Sequence, residues 1–396
     1  MHITLYIDTV AFAGTERHML DLALGLQSHG VDVRLACPAA SPLADRAAGL
    51  GVRVVPVPGA GAGGWRSLRI LCGQLPDDRS VLHAHNGRSA LQAALAVRLV
   101  RRGRCVMTQH FLCPAHLSHT GVKALAFGIV HRWVNKQASG FIAVSGAVRA
   151  AMLARREAAP ERVALVPNGL SCAAVDGEEA ASLRREFGIT EGAPLVVCVA
   201  RLEPEKGLLT LLQALAEVLT SRPDVRALVV GDGSQRRALQ EAAGELGIAH
   251  AVMFTGFRDD ARTAIAASDV FVLPSPAEPF GLVLIEAMAL GRAVVATDAG
   301  GPREIVVDGG TGRLVAANDP QALASALAGL IARPAERQRM GQAGKRRYEA
   351  CYTTRQMAER TLAVYDAALG VGTALGMGTA LGMGTALGAD KAGRDL

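Results

Sequence analysis

Residues 278–286 read Glu278-Pro-Phe-Gly-Leu-Val-Leu-Ile-Glu286, two carboxylates with seven residues between them. The apolar run Val270–Leu273 just upstream predicts a strand, and the following stretch predicts a helix opening near Gly281. Such an opening leaves the backbone N–H groups of Phe280, Gly281 and Leu282 without intrahelical acceptors. The terminus carries about half a positive charge and seats phosphate well. Glu286 falls one to two turns into the helix, where it can accept from ribose hydroxyls. Glu278, ahead of the helix, can hold sugar hydroxyls. Taken alone, the spacing is common and fits two exposed helix acids better, so the neighbouring sequence has to decide.

Working outward, the same strand-then-helix unit repeats. Leu195–Ala200, Arg226–Val230, Val252–Thr255 and Ala293–Ala296 are further strands of the second half, with helices between them. The first half runs Ile3–Ile7, Asp32–Ala36, Val52–Pro56, Val81–His83, Arg104–Thr108 and Phe141–Val144, with helices near Arg17–Gln27 and Ser89–Val100 and Ser145 placed to cap another. This order predicts an α/β chain of two Rossmann-like, doubly wound parallel sheets. The rhythm pauses at Val166-Pro-Asn-Gly169, and the polar stretch Ser171–Ala181 reads as a linker. The predicted layout is a domain at 1–170, a linker at 171–191 and a second domain at 192–352. Ligands of such sheets bind at the carboxyl ends of strands, in a cleft. Thr-Ala-Leu-Gly-Met-Gly occurs at 373–378 and again at 379–384. That glycine-rich repeat buries little, so 369–396 reads as a disordered tail.

Composition narrows the class. Half the residues are hydrophobic and only 4% aromatic, which favours layered helices and parallel strands over a β-sandwich. Seven scattered cysteines without a CxxC argue against a disulfide framework or zinc ribbon and for a reducing cytosol. The chain opens directly on a strand, without a targeting peptide, and contains no apolar span of roughly 18–20 residues. A cytoplasmic protein is expected, at most peripheral on a membrane. Residues 1–170 carry 19 Lys+Arg against 9 Asp+Glu, and the rest 23 against 27. The basic half suggests an anionic membrane surface or nucleic acid.

Other phosphate chemistries lack their motifs. The first strand is followed by one glycine, Gly14, where a dinucleotide fold needs GxGxxG, and neither GxxxxGK[ST] nor GxSxG occurs. His83-x-His85 has the look of a metal pair, but no acid or histidine at ligand spacing accompanies it, so no metal is expected.

Three further stretches follow predicted strands. Arg201 and Lys206, in Val199-Ala-Arg-Leu-Glu-Pro-Glu-Lys-Gly207, follow a strand and supply two cations for a diphosphate. Gly231-Asp-Gly233 follows another strand. Ala13-Gly-Thr-Glu16 joins the first strand to its helix, with Gly14 allowing close backbone approach and Glu16 equally suited to capping.

Together with His83-Ala-His85, Val166-Pro-Asn-Gly169, Thr255-Gly-Phe257 and Gly300-Gly-Pro-Arg-Glu304, these stretches resemble the retaining GT-B nucleotide-sugar glycosyltransferases of family 4 from Gly14 to about Tyr365. Ala13 departs from the glycine usual there. The resemblance implies a metal-independent hexosyl or other glycosyl transfer that retains anomeric configuration. It assigns such enzymes to lipopolysaccharide, glycolipid or other cell-surface glycan synthesis, with a glycan or lipid-linked acceptor, no cofactor and no nucleic acid. It places Arg201 and Lys206 on the donor diphosphate, Glu286 on ribose and Glu278 on the transferred sugar. Phe280, Gly281 and Leu282 offer backbone donors, Phe257 meets the base, and Gly14 and Gly231 admit the donor. His110 stands near the transferred sugar, and Glu16 and His85 belong to the acceptor side. Residues 353–368 would form a helix crossing back to the N-terminal domain. A nucleotide-sugar epimerase or phosphorylase on the same fold needs acid/base residues or a pyridoxal lysine motif not seen here. A non-catalytic subunit would be expected to lack Glu278 or Lys206.

The stretch Thr120–Gln137 mixes Leu125, Phe127, Ile129, Val130, Trp133 and Val134 with Lys123, His131, Arg132 and Lys136 and contains no acid. It reads as a helix that either lies on an anionic bilayer or packs on the sheet.

Overall fold

The short apolar runs become parallel strands, and the amphipathic segments between them become the crossover helices that parallel pairing requires. In chain order the first half forms β1 (His2–Tyr6), α1 (Gly14–Ser28), β2 (Asp32–Pro38), α2 (Pro42–Gly49), β3 (Arg53–Val57), α3 (Gly64–Cys72), β4 (Ser80–Ala84), α4 (Gly87–Val100), β5 (Arg104–Gln109), α5 (Gly121–Gln137), β6 (Gly140–Ala143), α6 (Gly146–Ala154) and β7 (Val163–Leu165). The second half forms α7 (Gly177–Glu186), β8 (Leu195–Val199), α8 (Leu208–Ser221), β9 (Arg226–Val230), α9 (Arg236–Glu245), β10 (Val252–Gly256), α10 (Ala261–Ala267), β11 (Val270–Leu273) and α11 (Leu282–Ala289). It continues with β12 (Ala293–Thr297), α12 (Pro302–Ile305), β13 (Gly312–Val315), α13 (Pro320–Ala332), α14 (Pro334–Cys351) and α15 (Thr354–Leu369). The computed structural model describes residues 1–59, 64–113 and 121–371, the side chains of 121–126 excepted. Of the tail expected at 369–396, Leu369 ends α15 and residues 372–396 lie outside the described residues.

The chain divides into two units, Met1–Asn168 joined by the chain from Thr354, and Gly169–Thr353. Unit 1 holds a seven-stranded sheet in the order β3-β2-β1-β4-β5-β6-β7, and unit 2 a six-stranded sheet in the order β10-β9-β8-β11-β12-β13. Every strand pair is parallel. Helices cover both faces, so β4 and β12 are buried at every residue. Unit 1 packs Ile3, Leu5, Leu35 and Val106 from its strands against Met19 and Leu22 of α1 and Met357 and Tyr365 of α15. Unit 2 packs Val196, Val229, Val272 and Val295 against Leu211, Leu215 and Leu327.

Strands β7 and β13 and helices α2 and α3 extend the elements expected from sequence. The stretch 171–191 is a linker only in part. Its centre is α7, capped by Asp176, whose carboxylate accepts from the Glu178 amide at 3.2 Å, and packed on α10 with Leu183 buried. The sequence hides this helix because its exposed face is Glu- and Arg-rich.

In each sheet the chain first builds outward on one side and then crosses to the other. The reversals fall between β1 and β4 in unit 1 and between β8 and β11 in unit 2. At such switch points the connections leave in opposite directions and open a crevice at the carboxyl ends of the strands.

Candidate active site

In unit 2 the segments at the switch point carry Arg201, Lys206, Glu278 and Phe280 to Leu282 of the predicted donor residues, while Gly14 opens α1 in unit 1 and Phe257 follows β10 at the edge of the sheet. The segment after β8 carries Arg201 and then a single 3-10 turn, Pro204–Lys206, before α8. The segment after β11 carries Glu278 and opens α11, with Gly281 as its N-cap. Lys206 Nζ and Glu278 Oε2 are 2.8 Å apart, an ion pair mostly screened from solvent that ties two residues distant in sequence. The amides of Phe280, Gly281 and Leu282 make no hydrogen bond to any described residue, as expected for a helix start that awaits an anion. Glu286, in α11, accepts from Arg262 Nε at 3.1 Å and is mostly buried. Arg201 pairs with Glu205 at 2.7 Å and remains largely exposed. Phe257, just past β10, exposes its ring.

Two glycines let these segments approach. Gly231 has φ +135°, and a Cβ there would lie 1.9 Å from the Ala200 carbonyl oxygen. Gly300 has φ +62°, and its Cβ would lie 2.1 Å from the Glu278 carbonyl oxygen. The amide of the next residue, Gly301, donates to that same oxygen at 2.9 Å. The backbone after β12 therefore lies against the Glu278 segment and fixes where its carboxylate starts from, a contact that any side chain at 300 would push apart.

In unit 1 the carboxyl ends of β1, β4 and β5 bring four histidines together. His83 is fully buried, its Nδ1 paired with the Tyr365 hydroxyl at 2.6 Å and its Nε2 with the Thr108 hydroxyl at 2.7 Å. His85 Nδ1 lies 3.2 Å from His110 Nε2, and the ring of His18 is 4.8 Å from that of His110. Burial lowers the pKa of all four. His18 falls to about 4, with neighbouring Asn168 pulling weakly the other way, although neither ring nitrogen of His18 nor Asn168 Oδ1 reaches hydrogen-bonding geometry. His83, His85 and His110 fall well below the usual imidazole range, through burial first and mutual repulsion second. Neutral imidazoles result. The sequence-based premise that no further histidine accompanies His83-x-His85 is thus corrected: the sheet supplies His18 and His110, which spacing along the chain cannot reveal.

Glu16 closes the turn after β1. Its Oε2 accepts from the Ala13 amide at 2.9 Å and its Oε1 from the Thr9 hydroxyl at 2.6 Å, the N-capping half of its two readings. Asp8 beside it accepts from Asn86 at 2.9 Å and pairs with Arg88 at 3.2 Å, two partners that were not singled out in sequence. A cavity of about 620 Å³ opens nearby, lined by Leu91, Met107, Phe111, Phe127, Val130 and Val134 among others.

Comparison with known proteins decides what this arrangement belongs to. Residues 12–174 match the family described as Glycosyltransferase Family 4, and residues 179–347 the one described as Glycosyl transferases group 1. The chain is 34% identical over 381 residues to a phosphatidyl-myo-inositol mannosyltransferase of Mycobacterium tuberculosis, covering 91% of this chain and 94% of the relative. The chain belongs to the family 4 glycosyltransferases. A second relative of this transferase is a GDP-mannose-dependent alpha-(1-6)-phosphatidylinositol monomannoside mannosyltransferase of Mycolicibacterium smegmatis, 38% identical over 43% of this chain and 47% of that one. Among solved structures, Anabaena HepE in complex with UDP and glucose superposes with a TM-score of 0.79, at 24% identity, over 92% of this chain and 98% of that one. WaaG, a glycosyltransferase involved in lipopolysaccharide biosynthesis, does so with a TM-score of 0.68 at 19% identity over 92% and 98%. At these identities the structures speak for the fold alone, which is GT-B, as expected from the sequence.

Proposed function

We propose that this transferase moves a hexose from a nucleoside diphosphate sugar to a lipid-linked acceptor, with retention of anomeric configuration and without a metal on the diphosphate. The observation that carries the donor half is the Lys206–Glu278 pair beside the open amides at the start of α11. A cation and a helix N-terminus together stabilise negative charge on a departing diphosphate, the work a metal ion would otherwise do. Arg201 adds a second cation by turning from Glu205. Glu278 takes sugar hydroxyls, Glu286 the ribose and Phe257 the base. Gly14 and Gly231 admit the donor closely.

Retention fits a front-face path. The acceptor oxygen bonds to the anomeric carbon on the side from which the diphosphate leaves, the carbon–oxygen bond to phosphate breaks, and the acceptor proton passes to the departing phosphate oxygen. That path needs no nucleophile pair, and Glu278 and Glu286 serve sugar and ribose rather than acting as a hydrolase couple. His110, neutral and buried, is suited to a hydrogen bond with the transferred sugar, and His85 and Glu16 line the acceptor side.

A lipid acceptor is favoured by the printed names of the two mannosyltransferase relatives. It is favoured also by the apolar cavity of unit 1 and by the exposed apolar face of α5. No helix among the described residues is long and apolar enough to cross a membrane, so the protein would meet such an acceptor as a peripheral protein on an anionic cytoplasmic leaflet. A glycolipid role is preferred over lipopolysaccharide for the same reason.

Incubation with a panel of nucleotide-sugars, led by GDP-mannose, and with phosphatidylinositol-containing vesicles tests the reading. Donor-dependent glycosylation of the lipid is the expected result. Turnover of no donor in the panel would remove the transfer reading, and turnover only with soluble acceptors would remove the lipid.

A further inference from the structure

The imidazole group of unit 1 is only partly used by the transfer reading. His18 comes from α1, His85 from the residue following β4, and His110 from the residue following β5. All three are buried, and one ring nitrogen from each lies within 4.8 Å of the others. His83, the fourth histidine, is occupied on both nitrogens by hydroxyl groups. The other three are not satisfied in that way. Both nitrogens of His18 and Nε2 of His85 have no hydrogen-bond partner among the described residues, and a buried polar atom left so is costly. The contact between His85 Nδ1 and His110 Nε2 at 3.2 Å can be a hydrogen bond only if one ring gives up its lone pair there.

A tetrahedral ion accounts for the facing His85–His110 pair and for one bare nitrogen of His18, each ring offering a single ligand atom. Metal–nitrogen bonds of about 2.0–2.1 Å set ligand atoms roughly 3.3 Å apart, which the His85–His110 pair already matches. One nitrogen of His18, at up to 4.8 Å from those of the other two, would have to move closer to complete the triangle. We propose that His18, His85 and His110 form a binding site for one transition-metal ion of the Zn²⁺ class. Three neutral imidazoles without a carboxylate select zinc, cobalt, nickel or copper over magnesium or calcium. Three protein ligands leave a fourth position open, the composition of sites that bind a water or a substrate oxygen rather than of closed structural sites. All three ligands belong to unit 1.

Cobalt titration of the chelator-treated, full-length protein tests this. One equivalent of Co²⁺ should bind, give the intense visible d–d bands of a low-coordinate site without a thiolate charge-transfer band, and be displaced by Zn²⁺. His18→Gln should lose the bands while keeping the circular dichroism spectrum. His18→Cys should restore them and add a thiolate-to-cobalt charge-transfer band, which ties the ion to position 18 even if the glutamine variant fails to fold. Absence of the bands in the folded wild type would overturn the proposal. So would unchanged binding in folded His18→Gln, or a His18→Cys protein that shows no charge-transfer band.

Discussion

At the residue scale, the donor half turns on two carboxylates with different partners. Glu278 is held by Lys206, and Glu286 by Arg262. Lys206→Ala removes the cation that would face the leaving diphosphate. Turnover of the folded fraction should fall by roughly 10²–10³-fold, the scale of losing one donor to developing charge. Steady-state kinetics beside thermal unfolding checks it: a collapsed melting temperature with unchanged specific activity would make Lys206 a structural residue. Glu286→Ala should weaken nucleoside diphosphate binding by about 1.5–3 kcal/mol, the range for a hydrogen bond to a charged acceptor. Calorimetric titration reads it directly, and equal affinities would end the ribose assignment. Lys206, Glu278 and Glu286 could be named from sequence because they lie in a loop after a strand or in the helix that such a loop opens. The pairing could not: Lys206 and Glu278 are 72 residues apart, and only the adjacency of β8 and β11 joins them.

At the element scale, the approach of the segment after β12 to Glu278 makes a paired prediction. Gly300 and Gly309 both have positive φ, +62° and +71°, but a Cβ at 309 meets nothing within 4 Å whereas one at 300 meets the Glu278 carbonyl oxygen. Gly309→Ala should cost only the backbone strain, roughly 1–2 kcal/mol. Gly300→Ala should cost more and also displace the Glu278 segment, weakening nucleotide-sugar binding at least several-fold. Unfolding and binding measured on both decide it, and identical behaviour would mean the contact does not set the site. Helix α5 carries the second prediction. Phe127, Ile129 and Val130 are 45%, 54% and 40% exposed, while Val134 and Asn135 turn inward, so the helix packs on one side and leaves apolar side chains open on the other. Lys123 and Leu125 lie outside the described side chains. Co-sedimentation with anionic vesicles should weaken with salt and fall when Arg132 and Lys136 become Gln. Sedimentation indifferent to salt, or none, would point to a soluble acceptor. Elements with clear apolar runs were legible. Strand β7 spans three residues, and β13 is four with Arg313 among them, too short and too interrupted for periodicity to register. Helix α2 did leave a signal, Ser41 before Pro42, and Ser41 indeed accepts from the Ala44 amide at 3.3 Å. The histidine cluster left only the His83-x-His85 pair and the separate His110, and nothing in the sequence brings His18 to them, since the members come from three separate segments.

At the scale of the whole molecule, the last helix belongs to the first unit. Met357, Ala358, Val364 and Tyr365 of α15 are buried in the unit 1 core, and Tyr365 holds His83. Three large buried side chains at about 1.5–3 kcal/mol each amount to much of a domain's usual 5–15 kcal/mol. Ending the chain at Thr353 should therefore strip hydrogen-exchange protection from β1 to β7 and leave β8 to β13 protected. Ending it at Val371 should alter neither protection nor activity. Retained protection in the shorter chain would show that α15 is dispensable. The same discontinuity bears on how the protein is made. A ribosome releases residues 1–168 long before Thr354 emerges, a wait of about ten to forty seconds at roughly 5–20 residues per second. During that interval the face of α1 that α15 will cover is bare. Unit 2, whose chain is continuous, can be complete while the nascent N-terminal half still needs a chaperone's protection.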